Sequence, residues 1–313
     1  MYGRVLTLAA FLVATATGVA GAADVATKAK AAPISPPPFF FVNENSIGYH
    51  YEFTATNPGA GQSPKNVLTF SHFDVWQYGT NFINIDWLKA TDGKATPTAT
   101  GSEGYTEIYG FFRSTFGFNE ISNTKAFSAG PLTDVSLMVG ADLNTDNTGL
   151  GSAKRSIESG IMFSFMAPYK GFINLTPTIY KEWQHDGYAA GSALNPSGAV
   201  EFNPTWGFEW LYVQPLGFVP SVPLTFKAFG TIHGPKGMGE PASVGLKRTT
   251  EYYTQENLEL DLGQMLGGKP GMFSVWTGFR YWVNKFGIDP TQPFGNFGFT
   301  KESTWLVGST LAF

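Results

Sequence analysis

Residues 72–88 read HFDVWQYGTNFINIDWL, and their character changes almost residue by residue. Trp76, Tyr78, Phe82, Ile83, Ile85 and Trp87 suit a protein core, whereas Asp74, Asn81, Asn84 and Asp86 do not. Beyond Tyr78-Gly79, the residues Ile83, Ile85 and Trp87 alternate with Asn84 and Asp86. Period-two alternation places the two sets on opposite faces of a strand. The stretch therefore reads as two strands joined by a short turn around Gln77–Thr80, with one face for lipid and one for water.

The same period recurs along the chain. Ile47, Tyr49, Tyr51 and Phe53 alternate with Gly48, His50 and Glu52; Val135, Leu137, Val139, Ala141 and Leu143 alternate with Ser136, Met138, Gly140 and Asp142. Leu224, Phe226, Ala228 and Ile232 oppose Thr225, Lys227, Thr231 and His233, and Phe273, Val275, Phe279, Tyr281 and Val283 oppose Ser274, Gly278, Arg280 and Asn284. Twelve such segments are expected, near 46–54, 65–76, 81–89, 104–116, 132–144, 155–166, 172–184, 199–213, 222–233, 249–261, 272–284 and 300–313. An even count returns the chain to the side on which it started. The connection 117–131 is long for a turn on that side, which points to an extended strand or a shifted register. Pro177 and Pro204 fall inside expected strands, where each removes a ladder donor, and mark bulges or misplaced boundaries.

Only 14% of the 313 residues are charged, well below a soluble domain, yet the mean hydropathy of −0.06 excludes a helical membrane protein. Arg4 followed by VLTLAAFLVATATGVAGA, with Ala20-Gly21-Ala22 as a small-residue cleavage site, reads as a signal peptide over 1–22. Removing it takes one cation and no acid, leaving 19 Lys+Arg against 24 Asp+Glu, which argues against a nucleic-acid partner. Residues 23–42 are Pro-rich and expected to be a spacer, and 43–313 the folded domain. The chain has no cysteine, so disulfides cannot stabilise an exported fold; a large closed sheet can.

The last segment, TWLVGSTLAF (304–313), sets Phe313, Leu311, Val307 and Trp305, with Ser309 the departure, against Ala312, Thr310, Gly308 and Thr304. That is similar to the C-terminal strand of bacterial outer-membrane barrels. A membrane-spanning sheet must close on itself, because hydrocarbon satisfies no edge. The expected fold is thus all-β, a single transmembrane antiparallel barrel of twelve strands, in the outer membrane and in contact with its lipid. Twelve strands exceed the roughly eight whose side chains fill the lumen, leaving room for a narrow channel. A soluble exported β-sandwich that binds carbohydrate accounts for the alternation but not for the number of outward aromatics.

Four stretches carry a family resemblance: FDVWQYGTNFINIDWL (73–88), YTEIYGFFRSTFGFNEIS (105–122), the pair IYKEW (179–183) and YTQENLELDLG (253–263), and WTGFRYWVNKFGI (276–288). Together they resemble the nucleoside-specific channel-forming outer-membrane proteins, the Tsx/OmpK-like family. The resemblance implies passive, selective diffusion of nucleosides, with a phage-receptor role in some members. Thr80 stands where the family usually carries an acid.

A nucleoside needs aromatic faces for its base and polar groups for its ribose. Strand parity nominates lumen candidates for both: Phe82, Asn84 and Asp86; Glu107, Tyr109 and Arg113; Tyr253, Gln255 and Asn257; Arg280 and Asn284. For Glu107, Arg113 and Arg280 the competing role is an ion pair bracing the wall, and for Asn284 a turn. The expected channel is monomeric. A barrel enzyme acting on outer-membrane lipid is the other alternative. It lacks a catalytic pair, because Ser71 and His72 are strand neighbours and point to opposite faces. No cofactor is expected, and no cysteine or close His/Asp/Glu spacing supports a metal.

Overall fold

The computed structural model describes residues 39–58, 61–91, 106–147, 153–185, 195–217, 222–240, 247–291 and 299–313. The signal-peptide reading lies outside these residues, as does the Pro-rich segment up to residue 38.

Thirteen strands follow in order: β1 (Phe40–Asn57), β2 (Gly61–Trp76), β3 (Gly79–Ala90), β4 (Thr106–Gly117), β5 (Leu132–Asp146), β6 (Arg155–Met166), β7 (Phe172–His185), β8 (Ala199–Glu201), β9 (Thr205–Pro215), β10 (Leu224–His233), β11 (Glu251–Asp261), β12 (Phe273–Val283) and β13 (Glu302–Ala312). β8 has three residues and pairs only with the end of β7. The other twelve form one antiparallel ring, each bonded to its neighbours in sequence and closed where β1 meets β13, from Ser46↔Ala312 to Glu52↔Leu306. Closure gives every strand two partners, which a lipid-facing sheet requires. The sandwich alternative fails here, because there is one sheet and it meets itself.

All twelve expected segments appear, with three corrections. β1 starts at Phe40, three residues inside the segment read as spacer. The segment 199–213 is two strands, broken at Phe202–Pro204, where a proline cannot continue the ladder. The connection 117–131 is neither strand nor register slip: a short helix, Phe118–Ser122, follows β4, and Ala129 bridges Leu132 before β5. Pro177, by contrast, stays inside β7. Its pairing with β9 runs on unbroken through Pro177↔Phe208. The ladder to β6 lapses between Gly160↔Thr178 and Phe163↔Leu175. Gly160 absorbs the irregularity, since a Cβ there would sit 2.1 Å from the Pro177 carbonyl oxygen.

The polarity of the wall is inverted relative to a soluble core. Trp87 is 50% exposed, Trp305 61% and Ile179 71%, while Lys65, Glu52, Glu182 and Glu302 are fully buried. Apolar residues face out and charges face in, the arrangement a bilayer selects. Aromatic rings gather on the outside near the Gln77–Tyr78 turn: Trp76 meets Phe39 at 6.0 Å, Tyr78 at 5.3 Å and Phe116 at 5.8 Å. Beside them, Asn45, His72, Asp74, Asn81 and Ser114 form a hydrogen-bonded strip across β1–β4 on the outer face. This is where Asp74 and Asn81 of the 72–88 stretch belong, at the rim rather than in the lumen. Among the described residues no helix is long and apolar enough to cross a membrane.

Candidate permeation pathway

The lumen is lined by the strand positions that share parity with Glu52, and ladder registers carry that parity around the ring. Among the described residues, the inward acids are Glu44, Glu52, Asp86, Glu107, Asp134, Asp142, Asp146, Glu158, Glu182, Glu209, Glu251, Glu259, Asp261 and Glu302. The inward cations are Lys65, Arg113, Lys227 and Arg280. Lys154, Lys236 and Lys285 reach in from loops to bond or approach lumen carboxylates. Carboxylates outnumber cations, so the interior carries a negative field that low-dielectric walls concentrate.

Two arginines organise these charges. Arg280 on β12 donates from Nη1 to Glu52 Oε1 on β1 at 2.6 Å and from Nε to Gln255 Oε1 on β11 at 3.0 Å; Glu302 on β13 lies 3.5 Å away. Tyr253 donates to the same Gln255 oxygen at 3.2 Å, and Gln255 donates to Asn257 at 3.1 Å. The predicted residues Tyr253, Gln255, Asn257 and Arg280 thus form one connected array. The second centre is Arg113 on β4. Its Nη1 donates to Asp142 Oδ1 at 2.8 Å, and its Nε and Nη2 reach Glu209 at 3.0 and 2.7 Å; Nη2 also meets Glu158.

The remaining strand candidates make other contacts, and Phe82 stands across the ladder from Arg113. Asn84 accepts from Ser71 and Asp86 from Thr69, each at 2.7 Å. Phe82 leans on Phe111 at 5.5 Å, and Tyr109 lies 6.0 Å from the same ring. Glu107 is ion-paired to Lys65 at 3.0 Å and accepts from Asn144. Asn284 is not a strand position: it adopts φ 53°, and its amide donates to the Thr250 carbonyl at 2.9 Å. The left-handed turn Asn284–Gly287 ends the β12 run, so Asn284 takes the turn role and strand parity does not place it. Ser71 and His72 point to opposite faces, Ser71 to Asn84 inside and His72 to Asn45 and Asp74 outside.

Several interior residues were not singled out from sequence. Lys285 donates to Glu302 at 3.1 Å and to the Thr56 carbonyl at 2.8 Å, and lies 4.2 Å from the Trp282 ring centre. Burial lowers its pKa, which Glu302 only partly offsets. Lys236, from the loop after β10, meets Glu182 at 2.7 Å. His233 stacks on Tyr180 at 3.8 Å. Asp142, Glu158 and Glu209 were accessible to the same parity reading as Arg113. The two loop lysines were not, because no strand period constrains them.

No protein-family profile matches the chain, and no curated protein matches it. Solved structures do show similarity. An outer-membrane channel from Pseudomonas putida F1 is 10% identical, with 90% of this chain and 100% of that one covered at a TM-score of 0.49. A KdgM porin, solved in complex with disordered oligogalacturonate, is 8% identical over 86% and 99% of the two chains, with a TM-score of 0.42. The translocator domain of the autotransporter NalP from Neisseria meningitidis is 11% identical over 86% and 88%, with a TM-score of 0.40.

Proposed function

We propose that this chain is a monomeric outer-membrane channel through which small polar solutes diffuse passively and selectively, with nucleosides as the first candidates. The observation that carries the reading is the inverted wall: twelve closed strands with apolar residues outward and a charged, hydrogen-bonded interior. Such an interior has no use as a hydrophobic core but suits solute passage.

Two features bear on the solute. The excess of inward carboxylates disfavours anions and leaves neutral or cationic molecules. Aromatic rings supply stacking faces, with Phe82 and Tyr109 about Phe111 on one wall, and Tyr253 against Trp282 at 5.2 Å on another. Stacking of a base on such a ring contributes about 1–3 kcal/mol, enough for weak binding that still permits release. A nucleoside is uncharged, planar and hydroxyl-rich, and fits both features.

Planar-bilayer recording of the refolded protein, with nucleosides added to one side, tests the proposal. Discrete conductance steps that nucleosides reduce are expected. Steps that nucleosides leave unchanged would remove the nucleoside assignment and retain a general pore. A bilayer without steps would remove the channel reading.

A further inference from the structure

The Arg113 centre is more than a brace between neighbouring strands. Arg113 starts on β4 and ends on Glu209 of β9, with β5, β6 and β7 intervening in the ring. Its path runs over Gly140, where a Cβ would lie 2.7 Å from Arg113 Cδ and 2.9 Å from Nη1. One guanidinium therefore spans a section of the lumen, in a lane that a missing side chain keeps open.

Three carboxylates crowd its tip. Asp142, Glu158 and Glu209 all meet this one guanidinium. The next cation, Lys154, lies 4.0 Å from Asp142. Glu158 touches Arg113 as an ion pair, and neither of its oxygens has a hydrogen-bond partner. Across the ladder from Glu158 stands Tyr180, and on Tyr180 stacks His233, which is 3% exposed with both ring nitrogens unpartnered. Buried polar groups are normally satisfied. Here the acceptors exceed the donors that the chain brings to them.

Resting on the channel reading above, we propose that Asp142, Glu158 and Glu209 are specificity-determining residues that select small organic cations bearing a guanidinium or ammonium head, and that Arg113 fills their site as a tethered cation until such a solute displaces it. A guanidinium already bound through both Nε and Nη2 shows which geometry the carboxylates accept. A free solute of the same head group competes for the same oxygens. An anion finds no donor here that is not already engaged.

The test uses the full chain in planar bilayers, with reversal potentials measured across a potassium chloride gradient and methylguanidinium as the probe. The wild-type channel is expected to prefer potassium over chloride, and methylguanidinium to interrupt its current. Glu209→Gln and Asp142→Asn should each lower the cation preference several-fold. Gly140→Ala displaces Arg113 without changing any charge, so it should raise conductance and keep the preference. Gly140→Ala, which keeps every charge in place, covers the event that a charge variant fails to fold. A conducting wild type without charge preference, or variants with the wild-type ratio, would overturn this proposal alone. A non-conducting wild type would overturn the channel reading on which it stands.

Discussion

Lys236 Nζ lies 2.7 Å from Glu182 Oε2, and both side chains are wholly buried. Lys236 belongs to the loop after β10, whereas Glu182 projects from β7, so the contact ties a connecting loop to the barrel wall. Tyr180 and Gln184 also donate to Glu182, and the lysine lies over the rings of Tyr180 and Phe202. Removing one member of such a pair leaves the other charge uncompensated in a dry environment. Lys236→Met should therefore cost about 3–5 kcal/mol, and Lys236→Met with Glu182→Gln much less. Urea-unfolding midpoints of the two variants in lipid vesicles check this; equal losses would mean that the pair is not coupled.

Glu256 poses the opposite case. It sits midway along β11 on the outward face, in register with Ala228 and Phe279, and Thr254 donates to its carboxylate at 2.6 Å. A carboxylate facing lipid at mid-height costs less than the roughly 2–4 kcal/mol of a cation there, but it still costs. Glu256→Leu should stabilise the barrel by about 1–2 kcal/mol in vesicles. A loss of stability would show that the carboxylate has a partner outside the chain.

The Tyr-Gly at the centre of the 72–88 stretch has a steric reason. A Cβ on Gly79 would stand 1.8 Å from the Thr115 carbonyl oxygen on β4, a backbone atom that cannot rotate away. Thr80, beside it, takes two bonds from this close approach: its N–H donates to Thr115 Oγ1 at 3.0 Å, and the two hydroxyls meet at 2.8 Å. Gly79→Ala should force β3 and β4 apart, at a cost of about 1–3 kcal/mol. The fraction of protein with heat-modifiable mobility on gels should fall. An unchanged fraction would show that β4 yields.

Alternation was enough to find twelve strands because one face of each meets lipid, and a single slip would turn Ile83, Ile85 and Trp87 into the lumen. It failed where the period stops governing the chain. Asn284 continues the parity of Arg280 by number, but Val283 is the last strand residue and Asn-Lys-Phe-Gly turns left-handed, with φ of 53° at Asn284 and 61° at Phe286. The helix at Phe118–Ser122 is five residues long, too short to show a helical period. Parity also sets Arg113 and Arg280 inside without naming their acids. Glu209 lies four ladders from Arg113, and Glu52 lies across β13 from Arg280. Those partners depend on the curvature and closure of the ring, which no local pattern encodes.

The turn between β4 and β5 offers a pH test outside the spanning strands. Glu120 lies in the short helix after β4, where burial, and then the charge of Asp134, raise its pKa. A carboxyl with a raised folded pKa binds more protons folded than unfolded between its ordinary value and the raised one. Its contribution to stability is fully present below the unfolded value of about 4.5 and is lost as pH climbs through the folded one. Glu120→Gln holds the neutral form at every pH. The variant should match the wild type at pH 4 and exceed it at pH 7, as read from urea-unfolding midpoints in detergent. A difference that is the same at both pH values would assign the effect of the substitution to packing, and remove the charge argument.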